Sequence, residues 1–101
     1  MSKPAILVAR AIFPEVLQQL QQVFDVDYHG GDDPLTPSEL RHRLQGKVGA
    51  LTTGSERIDA ALLQANPQLK IVANMAVGFN NFDVPAMTAA GVLASPWPRR
   101  L

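Results

Sequence analysis

The stretch with most capacity for chemistry is NMAVGFNNFDV, residues 74–84. A strand-like apolar run ends at Met75, and a helix-like run opens at Val84 behind Asp83, a good N-cap. Between them stand Ala76, Val77 and Gly78. Backbone N–H groups at such a junction lack intrahelical partners and lie at the positive end of the helix dipole, so a small anion such as a carboxylate is favoured there. Gly78 removes the Cβ that would block close approach, and Ala76 keeps the wall small. A tight turn that needs Gly78 only for its backbone angle fits the same residues equally well. Asn80 and Asn81 read as turn residues tolerant of unusual backbone angles, and Phe79 and Phe82 as core or pocket wall.

Other chemistries find little support. The chain has no cysteine, which removes disulfides, thiol nucleophiles and Cys-based zinc sites. None of the seven glycines falls into G-x-G-x-x-G, and GALTTGSE lacks the lysine of a phosphate-binding loop. His29 follows a short strand and His42 lies on the polar side of a helix; both read as solvent-facing. Nine basic residues balance nine acidic ones, so no long-range field draws the surface to nucleic acid or anionic lipid, and neither partner is expected. The apolar run after Pro4 ends at Arg10, too short for a signal core or a membrane span, so a cytoplasmic protein is expected.

The elements that must position residues 74–84 follow from patterning. At 101 residues and 47% hydrophobic, the chain suffices for one domain with a proper core. AILVA (5–9) is a continuous apolar run, the mark of a strand covered on both faces. Val16, Leu17, Leu20, Val23 and Phe24 repeat at helical spacing behind Pro14, and VDY (26–28) is a second strand before the loop HGGDDP. Thr36, Pro37 and Glu39 spell a capping box for a helix that Gly46 stops. VGAL (48–51) is strand three, Asp59 caps a helix that Asn66 and Pro67 end, and LKIVANM is strand four. Asp83 caps the last helix, Gly91 stops it, and VLA (92–94) is strand five. Strand centres recur at the interval of a βαβ crossover, which predicts an α/β, flavodoxin-like three-layer sandwich around a five-stranded parallel sheet. Ligands of such sheets sit outside the C-terminal strand ends, here loops 10–13, 29–35, 52–58 and 75–82. A phosphate-receiving aspartate ending strand three is missing, since Leu51-Thr52 stand there, and RAIFP after strand one is no phosphate cradle.

Residues 50–95, ALTTGSERIDAALLQANPQLKIVANMAVGFNNFDVPAMTAAGVLAS, resemble the N-terminal, substrate-binding domain of the D-2-hydroxyacid dehydrogenases, particularly the glyoxylate/hydroxypyruvate and 2-ketogluconate reductase branch. The most specific piece is VGxxNxD at Val77 to Asp83, and NPQLK matches as well. The resemblance implies that the amides of Val77 and Gly78 grip the carboxylate of a small 2-oxo or 2-hydroxy acid. It also implies that the loop after strand three touches substrate through Thr52 and Thr53, whose hydroxyls suit a carboxylate or a sugar-acid hydroxyl; local bonding of two turn threonines is the competing reading. In the family, the hydride donor NAD(P), the general acid and the carbonyl-polarising arginine come from a separate Rossmann domain and the chain beyond it. Residues 1–95 thus read as the substrate-binding domain without the NAD(P)-binding one, inactive alone and binding no cofactor. A non-catalytic small-acid-binding or interaction module of the same shape is the alternative. SPWPRRL departs from the family after Ser95, as a truncated or frame-shifted reading would, so Arg99 and Arg100 are given no role. The family's last helix returns to cover this domain, so its lack would expose an apolar patch and favour self-association or modest stability.

Overall fold

The computed structural model describes residues 3–30, 33, 35–75 and 80–96. Among these residues nine elements alternate: β1 (Ala5–Val8), α1 (Pro14–Val23), β2 (Asp25–Tyr28), α2 (Pro37–Arg43), β3 (Gly49–Thr52), α3 (Ala60–Ala65), β4 (Ile71–Asn74), α4 (Val84–Ala89) and β5 (Leu93–Pro96). All pairings are parallel and the strand order is β2-β1-β3-β4-β5. This is the flavodoxin-like order, and the expected α/β architecture stands.

Local chemistry explains where the helices begin and end. Thr36 Oγ1 accepts from the Glu39 N–H at 3.1 Å while Glu39 Oε1 accepts from the Thr36 N–H at 3.0 Å, a complete capping box. The Asp59 carboxylate caps α3 through the Leu62 N–H at 3.0 Å, and Asp83 caps α4 through the Ala86 N–H at 3.1 Å. After α2 and α4 the chain turns at Gly46 and Gly91, with φ of +78° and +74°, where a side chain would be strained.

The sheet is covered unequally on its two faces. Leu7, Ala9, Ala50 and Val72 face Leu40 and Leu44 of α2, Leu62 and Leu63 of α3, and Met87 of α4. Their alternates Ile6, Val8 and Leu51 face α1 through Leu20, with Val16 and Phe24 packed alongside. On this second face a groove lined by Leu20, Phe24, Gly49, Ile71 and Ala73 stays open, and neighbouring Leu93 of β5 is half-exposed. Gly49 sits where strands crowd: a Cβ there would lie 3.2 Å from Ile71 Cγ2 and 3.3 Å from Ile6 Cγ2.

Candidate functional site

The C-terminal ends of β3 and β4 lie side by side, Thr52 in register with Asn74. Both residues are fully buried. Thr52 Oγ1 donates toward Asn74 Oδ1 at 2.9 Å and Ala73 O at 3.2 Å. The ladder continues one step past the strands, with the Met75 N–H donating to Thr52 O at 2.7 Å.

Asn81 then fastens the two loops together. Its side-chain amide donates to Thr53 O at 3.0 Å and Glu56 O at 2.6 Å, and its Oδ1 accepts from Asn74 Nδ2 at 2.9 Å. The backbone repeats the connection: Ile58 N–H donates to Asn81 O at 2.9 Å, and Asp83 N–H to Ile58 O at 2.8 Å, around an Ile58–Phe82 bridge. Every one of these groups is neutral, so the clamp does not depend on salt or on pH in the ordinary range. Asn81 is therefore more than the turn residue expected from its neighbourhood, and no described residue other than glycine has a positive φ.

Glu56, 1% exposed, sits inside the loop. Its Oε1 accepts from the Thr53 N–H at 2.7 Å and from Thr53 Oγ1 at 3.2 Å, and its Oε2 is 3.4 Å from the same hydroxyl. Nothing in the sequence reading singled out Glu56. The signal was available, however, because Thr53 and Glu56 have the same T-x-x-E spacing as Thr36 and Glu39.

The expected ligand-facing groups divide as follows. Val77 and Gly78, with Ala76 and Phe79, lie outside the described residues. Of the described residues nearest to them in the chain, Met75 bonds to Thr52 O and Asn81 belongs to the clamp. Thr53 is half-buried at the start of the loop, whereas Thr52 lies beneath it in the interior. Both hydroxyl protons are directed at protein acceptors. Arg99 and Arg100 also lie outside the described residues.

The histidines are elsewhere. His42 is exposed, as expected, but His29 is half-buried, with Nδ1 3.0 Å from Arg43 Nη1 and Nε2 3.0 Å from Asp33 O. Arg43 also donates to Asp27 Oδ1 at 2.7 Å, and Lys47 Nζ approaches Asp27 Oδ2 at 3.6 Å. Burial pushes the Asp27 carboxyl up, but the Arg43 hydrogen bond and the Arg43 and Lys47 charges outweigh it and hold it below its ordinary 3.8. This network ends β2, three strands from β4, so it stands roughly 14 Å from the clamp at ordinary strand spacing.

The β1–α1 connection does not fit a dinucleotide's pyrophosphate. The β1–α1 connection, where such sheets cradle a pyrophosphate, reads Arg10-Ala11-Ile12-Phe13 without glycine, and the Ile12 N–H is taken by Tyr28 Oη at 3.2 Å. Among the described residues no His/Cys/Asp/Glu cluster suits a metal ion, and no helix is long and apolar enough to cross a membrane.

Fold and clamp together define a doubly wound α/β unit whose organised edge is the C-terminal end of β3 and β4. The family model for the D-isomer specific 2-hydroxyacid dehydrogenase catalytic domain matches residues 6–99, and the chain belongs to that family. The match continues past Ser95, where the residue-by-residue resemblance stops. Among curated relatives, a glyoxylate reductase of Aeropyrum pernix is 36% identical over 97% of this chain. A glyoxylate/hydroxypyruvate reductase B of Serratia proteamaculans is 36% identical over 95% of it. This chain spans about 29% of the length of each relative. Of solved structures, the TT0316 protein of Thermus thermophilus superposes with a TM-score of 0.84 at 30% identity, covering 93% of this chain and 30% of its own. The NADPH-dependent glyoxylate/hydroxypyruvate reductase of Sinorhizobium meliloti, in complex with NADP and malonate, gives 0.68 at 29% identity over 96% of this chain and 29% of its own.

Proposed function

We propose that this chain is the acid-binding unit of an NAD(P)-dependent 2-hydroxyacid dehydrogenase that interconverts glyoxylate or hydroxypyruvate with the corresponding 2-hydroxy acid. The observation that carries the reading is the Asn74–Asn81–Thr53 clamp, within a family match covering most of the chain. It holds both flanks of residues 76–79 at the strand ends where ligands of this sheet type bind. The Val77 and Gly78 amides grip the substrate carboxylate, Thr53 stands at the lip, and Thr52 supports the floor from below. Glyoxylate and hydroxypyruvate are chosen over 2-ketogluconate because the curated relatives bear those names.

In the whole enzyme a nicotinamide held outside these residues would supply the hydride. This chain's own contribution is to hold the acid and orient its oxo group, a positioning role of the kind that lowers barriers by fixing geometry. With no glycine fingerprint in the 101 residues, binding without turnover is expected of the chain alone. The test is a chimera in which residues 6–96 replace the matching segment of a full-length glyoxylate/hydroxypyruvate reductase. NADPH oxidation driven by glyoxylate or hydroxypyruvate supports the assignment. A folded, NADPH-binding chimera that reduces neither acid contradicts it.

A further inference from the structure

A parallel sheet is ordinarily covered on both faces. Here α2, α3 and α4 share one face, whereas among the described residues the other carries α1 alone, whose Leu20 packs with Ile6, Val8 and Leu51. The half of that face toward β5 is left open. Register sets one row of residues across it: Ile6 pairs with Gly49, Gly49 with Ile71, and Ile71 with Leu93. Partners in a parallel ladder project to the same face, so the row reads isoleucine, no side chain, isoleucine, leucine. Its two uneven members are complementary. At Gly49 the row falls to the backbone, in a groove walled by Leu20, Phe24, Ile71 and Ala73. Two strands away Leu93 stands up from the sheet, 50% exposed. A hollow and a knob about 10 Å apart fit a second copy of the same surface, turned about a two-fold axis midway between them. Charge does not oppose that contact. No charged side chain lines the groove, and nine basic residues against nine acidic ones leave no net charge to hold two copies apart.

We propose that the open face over β3, β4 and β5 is a self-pairing surface, through which two copies of this chain form a two-fold dimer with Leu93 of each seated in the groove of the other. The axis passes over β4. Three four-residue strands span only about 14 by 13 Å. Even with the flank of α1 the contact stays below the roughly 800 Å² per partner of a standard interface, so the dimer is weak and half-formed on the order of 0.1 mM. This pairing does not depend on acid binding at Val77 and Gly78.

The test is sedimentation velocity of the 101-residue chain from well below to well above that concentration, with NMR of a half-labelled sample in which only contacts between copies give NOEs. A reversible monomer–dimer equilibrium is expected, with NOEs between copies from the Leu93 methyls to those of Ile71 and Ala73. Leu93→Asp drives a carboxylate into each groove and weakens the dimer at least about tenfold. Phe13→Asp, at a residue 70% exposed but outside the groove, leaves it unchanged. If Leu93→Asp does not fold, the NOEs of the wild type decide. A chain that stays monomeric throughout overturns the proposal, as does association that Leu93→Asp leaves intact or whose NOEs arise from other surfaces.

Discussion

Thr36–Glu39 and Thr53–Glu56 share one spacing and fold it in two ways. At 36–39 both side chains are exposed, the bonds are reciprocal, and Leu40 and Leu44 continue at helical spacing into the core. At 53–56 only the return bond from glutamate to the threonine N–H survives; the threonine hydroxyl turns to the carboxylate instead. Ile58, fully buried, must pair with Phe82 in extended form, and Asp59 caps the helix that follows. The four-residue pattern is thus neutral between a helix start and a folded loop, and what comes two residues later decides. The exposed copy organises one helix end, whereas the buried copy, fastened by Asn81, organises the edge where the ligand is proposed to bind.

Substitutions can break this contrast. The largest effect belongs to Asn81→Asp, which faces Thr53 O and Glu56 O with a carboxylate in place of two donated protons. A loss of roughly 3 kcal/mol is expected in urea unfolding. Glu56→Ala leaves the part-buried Thr53 N–H without its acceptor and empties the space its own side chain fills, for about 2 kcal/mol. Thr36→Ala, in the exposed copy, costs about 1 kcal/mol and shows as faster amide exchange at the start of α2.

The smallest effect sharpens the comparison through pH. The Thr36 backbone N–H, then the Thr36 hydroxyl, hold the Glu39 carboxyl below its ordinary 4.5. A carboxyl lowered in the folded state stabilises above its unfolded pKa and ceases to as the pH falls through its folded one. The α2 capping box therefore weakens from about pH 4.5 downward and the Asp27 ion pair from about pH 3.8 downward, and Asp27→Asn flattens the lower part of that acid limb while costing no more than about 1 kcal/mol at neutral pH. The Asn81 amide bonds show no such dependence. Acid-induced exchange at the Ile58 and Asp83 amides, which bond Asn81 O and Ile58 O, before α2 frays would contradict the contrast.

Local rules made most of the fold legible. Apolar runs marked every strand but β2, which is half polar, and side chains bonding within three residues marked the helix starts at Thr36, Asp59 and Asp83. The proposed carboxylate grip was read from local sequence alone, in the small residues at 76–78, which lie outside the described residues. Asn81 was read as a turn residue because its partners at Thr53 and Glu56 lie 28 and 25 residues away, beyond any window of sequence. His29 was read as solvent-facing for the same reason, since Arg43 reaches it from α2. Thr52 looked like a loop residue, but its strand runs one residue further than the apolar pattern and carries it inside.

The central claim is that the clamp presents the Val77 and Gly78 amides to a small organic acid. Following every backbone amide of the chain while adding glyoxylate tests it directly. The account predicts the largest saturable shifts at Val77 and Gly78, half-complete at a concentration on the order of 1 mM, or about 4 kcal/mol. Saturation elsewhere in the molecule with those two resonances unmoved would contradict it.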